Sequence, residues 1–138
     1  MLDYYIDDDN DIIFTHGGFD KEVRVIDQAS SMFQWDRELV TQAMSCSPGQ
    51  KLKTQDGFSE IYIGHTPTIY WGITEPISKG GLINIDTGSG KGGPLTIMDI
   101  ETKQYWQSDL SLADYTKLKS YGIIKETEEN PGEKEEQV

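Results

Sequence analysis

The 138-residue chain reads as an α+β domain, with a mainly antiparallel β-sheet and flanking helices. Three observations lead there. Short runs of β-branched, aromatic or aliphatic residues, among them Ile12-Ile13-Phe14, Ile61-Tyr62-Ile63 and Leu82-Ile83, are bounded by Gly, Pro, Asp or Asn. A stretch with apolar residues at helical spacing lies between the first two runs, and a shorter one follows the last strand. A hydrophobic share of 36% is low for this length, so one domain over residues 1–124 and an unpacked acidic tail over 125–138 are expected.

Charge removes several function classes. A formal net charge of −12 repels a phosphate backbone, and no basic patch with interleaved aromatics stands in the sequence, so nucleic acid is not an expected partner. No apolar run reaches the length of a membrane span, and none forms the core of a signal peptide. Cys46 is the single cysteine, which rules out an internal disulfide and points to the cytoplasm.

In order along the chain, residues 1–6 mix apolar and acidic side chains. The run Asp7-Asp8-Asp9-Asn10-Asp11 suits a solvated turn. It is not an EF-hand loop, because the sixth position lacks Gly and the twelfth lacks Glu. Ile12-Ile13-Phe14 forms a short buried strand ending in Thr15-His16-Gly17-Gly18, where the paired glycines free the loop to take positive φ. Asp20 is expected to cap an uneven helical region reaching about Ser45, with Val23, Ile26, Phe33, Leu39, Val40 and Met44 as its apolar positions and a break at Ser30-Ser31. Trp35-Asp36-Arg37-Glu38-Leu39 opens the second helix, with the Asp36 carboxylate at its favourable end. Arg37 either reaches an anionic ligand or makes a surface ion pair. Residues 47–57 form a polar loop around Pro48-Gly49.

The strand Ile61-Tyr62-Ile63 delivers His65 at its end, since Gly64 lets the backbone bend and Pro67 commits the chain to leave the sheet. Residues 68–81 read as irregular, broken by Pro76 and Gly80-Gly81. Residues 82–86 and 95–100 read as paired strands joined by the glycine-rich segment TGSGKGGP, and residues 104–108 add a third, giving an antiparallel meander. Ser111-Leu112-Ala113-Asp114 resembles a capping box with Asp in place of Glu, opening a helix to about Ser120 with Leu112, Tyr115 and Leu118 inward. The tail KETEENPGEKEEQV holds too little apolar area to offset its ordering entropy and is expected to be disordered.

Three features bear on chemistry. His16 and His65 both stand at strand ends beside glycine, a placement that suits a divalent metal, although a lone strand histidine is more often a satisfied core residue. Residues 88–93 lack the Gly-Lys-Ser/Thr ending of a phosphate loop and precede a strand rather than a helix, so they read as a hairpin loop. Asp86-Thr87-Gly88 resembles the signature of a dimeric aspartic protease, a minor alternative weakened by the lack of a clear flap hairpin; a structural hairpin corner is the preferred reading.

Taken together, FTHGGFD (14–20), WDREL (35–39), IYIGHTPT (61–68) and NIDTGSGKGGPLTIMDIETKQYWQSD (84–109) resemble, in order, the C-terminal half of calcineurin-like metallophosphoesterases, closest to bacterial and phage serine/threonine protein phosphatases. The likeness covers roughly residues 1–115. It implies the C-terminal portion of a β-sandwich that holds two divalent ions, with His16 and His65 as ligands of the second. Mn²⁺ is the implied ion, with Zn²⁺, Fe or Ni²⁺ as alternatives. It further implies that Arg37 contacts the substrate phosphate and that Asp86 to Gly88 are structural.

The family's upstream motifs, Asp-x-His, Gly-Asp-x-x-Asp-Arg-Gly and Gly-Asn-His, are not present, and His16 and His65 are the only histidines. Two expectations follow. In the first, the chain is the back part of an enzyme that hydrolyses phosphomonoesters once an N-terminal half is present; alone it is inactive and binds metal weakly or not at all. In the second, it is a non-catalytic binding or regulatory remnant that acts as a homo-oligomer. Both expect exposed apolar surface.

Overall fold

The computed structural model describes residues 2–110 and 112–123, apart from the Leu112 side chain. The expected capping residue Ser111, the inward Leu112 side chain and the tail at 125–138 lie outside the described residues. The fold is α+β, with a five-stranded mixed sheet, a two-stranded sheet and a few short helices. No helix among the described residues is long and apolar enough to cross a membrane. The chain forms two compact units, one made of the described residues up to Thr66 with Ile77–Ile85, the other of Pro67–Pro76 with the described residues from Asp86 onward.

The first unit holds β1 (Tyr4–Asp7), β2 (Ile12–Thr15), β3 (Glu60–Ile63), β4 (Ile77–Lys79) and β5 (Leu82–Asn84), in the order β1-β2-β3-β5-β4. The sheet is antiparallel only toward its edges. β2, β3 and β5 pair in parallel, with Phe14 opposite Tyr62 and Tyr62 opposite Ile83, which corrects the expectation of a mainly antiparallel sheet. Ile61, Tyr62 and Ile63 are all buried, as are Leu82, Ile83 and Asn84. Strands buried along successive residues in this way are covered on both faces, the usual condition of parallel pairing. The long connection between β2 and β3 carries the two helices that make such a crossover possible.

β1 and β2 form a hairpin across the acidic turn, where the Asp7 carboxylate accepts the Asp9 amide at 3.1 Å and the Asn10 side chain at 2.9 Å. At the opposite edge, Lys79 and Leu82 are register partners across Gly80-Gly81, whose φ angles of 64° and 81° belong to a type I′ turn. These glycines therefore make a hairpin where an irregular loop was expected. The expected meander is corrected too: β5 pairs with β3 and β4, not with the strand that follows it.

The expected helix from Asp20 breaks into three pieces: a 3-10 turn at Val25–Asp27, α1 (Ser30–Trp35) and α2 (Glu38–Met44). Gln28 explains the loss of the first part. Its amide nitrogen donates to the carbonyls of Asp20 and Val23 at 2.8 and 2.9 Å, and its oxygen accepts the Asp20 amide at 2.8 Å, so a side chain takes the bonds a helix would have made. Val23 and Ile26 are exposed rather than core residues. Ser30-Ser31 starts α1 instead of interrupting a helix. α2 buries Leu39, Val40 and Ala43 on one stripe and contacts β5.

The second unit holds a 3-10 turn (Thr68–Trp71), β6 (Thr96–Met98), β7 (Tyr105–Gln107) and α3 (Leu112–Ser120). β6 and β7 form an antiparallel ribbon with Ile97 opposite Trp106, both exposed. Tyr115 and Leu118 of α3 are buried with Ile69, as the inward positions of that helix require.

Candidate metal centre

β2 and β3 run side by side and end together, so the residues just beyond them, His16 and His65, come to one edge of the first unit. The parallel ladder continues one step past the strands, because the Gly64 amide donates to the His16 carbonyl at 2.8 Å. Beneath the pair, Phe14 and Tyr62 stack with centroids 5.0 Å apart at 15°, which fixes the register that delivers the histidines. The His16 and His65 rings lie 5.0 Å apart, tilted by 54°.

His65 takes φ of +67°, a left-handed conformation that costs a residue with a Cβ on the order of 1 kcal/mol. The Thr66 amide folds back to the Gly64 carbonyl at 2.7 Å, closing a γ-turn with His65 at its centre. Asn84, wholly buried at the end of β5, donates its side-chain amide to the Thr66 carbonyl at 2.7 Å and holds the turn from below. Thr66 Oγ1 is buried and has no hydrogen-bond partner among the described residues. Strained backbone fastened by a buried polar side chain is characteristic of functional positions.

Gly17 and Gly18 serve a purpose other than positive φ, which neither adopts. A Cβ on Gly17 would stand 3.0 Å from the Phe33 carbonyl oxygen and 3.1 Å from that of Asp36. One on Gly18 would stand 2.3 Å from an Asp36 carboxylate oxygen. The glycines thus let the corner between α1 and α2 lie directly on the chain after His16. That corner brings Trp35, whose ring meets His65 edge-on at 5.7 Å while remaining 68% exposed. Asp36 accepts the Leu39 amide at 3.1 Å at the start of α2, and burial raises its carboxyl above the ordinary value against the opposing backbone bonds from Leu39 and Glu38. Arg37 follows at the α2 N-cap, exposed, with its carbonyl accepting the Thr41 hydroxyl at 2.9 Å.

Two imidazoles on one ion at metal–nitrogen distances of roughly 2.0–2.1 Å hold their ring centroids about 5 Å apart. The His16–His65 spacing of 5.0 Å fits that requirement. No group of three or more His, Cys, Asp or Glu side chains able to hold an ion occurs among the described residues. Of the sequence candidates, the structure brings His16 and His65 together and sets Arg37 two positions after the Trp35 ring that touches His65. Sequence reasoning missed Asn84 and Trp35. Asn84 is a polar residue inside a buried apolar run, which is itself a usable signal.

Elsewhere, Thr87 is buried in the second unit, with its hydroxyl 2.6 Å from both the Pro94 carbonyl and the Thr96 hydroxyl, while Asp86 accepts the Gly88 amide at 3.0 Å. No family model matches the chain, and comparison with the curated proteins finds no match.

Proposed function

We propose that His16 and His65 form part of the metal site of a phosphoesterase of the serine/threonine phosphatase type, and that the remaining ligands come from donors outside this sequence. The observation that carries the reading is the 5.0 Å spacing of the only two histidines, held at the ends of paired parallel strands. A bound divalent ion, Mn²⁺ by preference, would polarise a phosphoryl oxygen and make water acidic enough to attack. The chain's own contribution is to present two neutral imidazoles at fixed spacing, to hold His65 through the Gly64 and Asn84 hydrogen bonds, and to offer Arg37 to the phosphate of a phosphomonoester. The partial metallophosphoesterase sandwich belongs to the same proposal, as does a cytoplasmic location.

The test is phosphate release from p-nitrophenyl phosphate with Mn²⁺, using this chain alone and mixed with an N-terminal fragment that carries the carboxylate motifs. Groups that act as a unit give no partial activity, so the chain alone should match its His65→Ala variant, and the mixture should gain turnover that His65→Ala abolishes. Turnover by the chain alone that depends on His65 would contradict the need for outside ligands.

A second reading, a non-catalytic binding module, is favoured by one observation: Ile97 and Trp106 present an exposed apolar pair on an open two-stranded ribbon. Such a face fits an interface with another segment or another copy. On this reading the mixture stays inactive and light scattering detects a homo-oligomer.

A further inference from the structure

The glycine-rich segment, which the metal site leaves unused, builds a different feature in the second unit. A cavity of about 440 Å³ is lined by Ile69, Tyr70, Lys91, Lys117, Tyr121 and Ile123, a size in the usual range for small-molecule sites. We propose that it binds a small flat anion, an aromatic or similarly planar apolar body bearing a phosphate, sulfonate or carboxylate.

The loop explains why Lys91 is held there. The Lys91 and Gly93 amides both donate to the Gly88 carbonyl at 2.7 Å, which ties the segment into a compact turn. Gly88, at φ of +92°, lies so close to Ile69 that a Cβ would meet its Cδ1 at 2.9 Å. Lys91 is therefore displayed from a turn seated on the cavity floor, where its ammonium donates to the Tyr70 hydroxyl at 3.0 Å and lies 5.3 Å from the Tyr70 ring centroid. Lys117 arrives from α3, its Cδ 3.0 Å from the place of a Cβ on Gly92, so that glycine gives its stem passage.

Charge selects the ligand. Acidic residues outnumber basic ones 24 to 12 in this chain, yet two lysines share this cavity, and neither has a carboxylate within ion-pair distance among the described residues. Two cations that share a cavity repel one another, and an anion between them is stabilised by both. The apolar body has its own partners. Ile69 is buried in the floor, while Tyr70 and Tyr121 are half-exposed rings that offer flat faces to a planar ligand and hydroxyls to its polar end. None of these residues belongs to the His16–His65 pair, so this site stands whether or not the chain is a phosphoesterase.

The probe is 1-naphthalenesulfonate, which is planar, permanently anionic and not hydrolysable, titrated into the full chain with a chelator present and followed by NMR shifts. Saturable binding with a dissociation constant between about 10 μM and 1 mM is expected, with shifts at Tyr70, Lys91 and Tyr121. A Lys91→Gln, Lys117→Gln double variant should bind at least about tenfold more weakly, 1-naphthol should lose a similar factor in the wild type, and added salt should weaken only the sulfonate. Both lysines are exposed, so the variant is expected to fold, and an unchanged amide spectrum elsewhere establishes that. No saturable shift, equal affinity in the double variant, or shifts confined to the β6–β7 ribbon would each overturn the assignment.

Discussion

The Gly64 amide bonds the His16 carbonyl at 2.8 Å, and this one backbone contact brings two histidines 49 residues apart in sequence to the same edge of the sheet (65 − 16). The side-chain geometry follows from the backbone. Once the ladder is extended past β2 and β3, the γ-turn at His65 aims its ring at His16 instead of along the strand.

The left-handed turn should separate the backbone cost of His65 from the value of its ring. His65→Gly removes a strain on the order of 1 kcal/mol but loosens the unfolded chain by a similar amount, so stability should stay within about 1 kcal/mol of wild type. His65→Val puts a β-branched side chain at the same φ and should cost about 1–3 kcal/mol. Urea unfolding measures both, and equal stabilities for the Gly and Val variants would mean that the turn carries no strain.

Asn84 should matter beyond its size. Asn84→Leu deletes the donor to the Thr66 carbonyl in a fully buried place and should cost about 1–3 kcal/mol. Amide exchange at Thr66 should also accelerate relative to the β1–β2 hairpin. Uniform acceleration throughout the sheet would mean that the asparagine supports the core and not the turn.

Gly18 leaves less room than Gly17. Gly18→Ala would drive a methyl to 2.3 Å from the Asp36 carboxylate and force it off the Leu39 amide, a loss of about 1–3 kcal/mol. Gly17→Ala meets backbone oxygens at 3.0 and 3.1 Å, which cannot swing aside as a carboxylate can, and should cost more. Thermal unfolding that ranks the two in the opposite order would contradict this packing.

Asp36 should impose a pH dependence of definite sign. Because burial raises its carboxyl in the folded chain, the folded state holds that proton more tightly than the unfolded state. The stability this gives is full below the ordinary carboxylate range and is lost as pH rises through the raised value. Asp36→Asn keeps an oxygen for the Leu39 amide but cannot ionise. Its stability relative to wild type should therefore grow between about pH 3 and pH 7 in urea titrations. A constant or shrinking difference would refute the burial effect.

Much of this was legible in the residues. The three central strands, the turn at residues 7–11, the opening of α2 and the strand-end placement of both histidines follow from local patterns. Strand direction did not, because Ile61-Tyr62-Ile63 is a good strand whichever way its neighbours run, and only the crossover through α1 and α2 decides. The helix expected from Asp20 failed because Gln28 reaches back eight residues, which no helical spacing reveals. His-Gly-Gly looked like loop freedom and proved to be close packing, since the pressing groups on α1 and α2 lie far along the chain.

The most direct test of the paired-imidazole centre is a Mn²⁺ titration followed through the imidazole C–H resonances. A shared ion broadens both rings together at substoichiometric Mn²⁺, and acid, which competes for the same nitrogen lone pairs, reverses the effect. In His16→Ala the broadening at His65 should weaken strongly, because one imidazole alone is a poor ligand set. Broadening of only one ring in the wild type, or undiminished broadening of His65 in His16→Ala, would contradict a common metal centre.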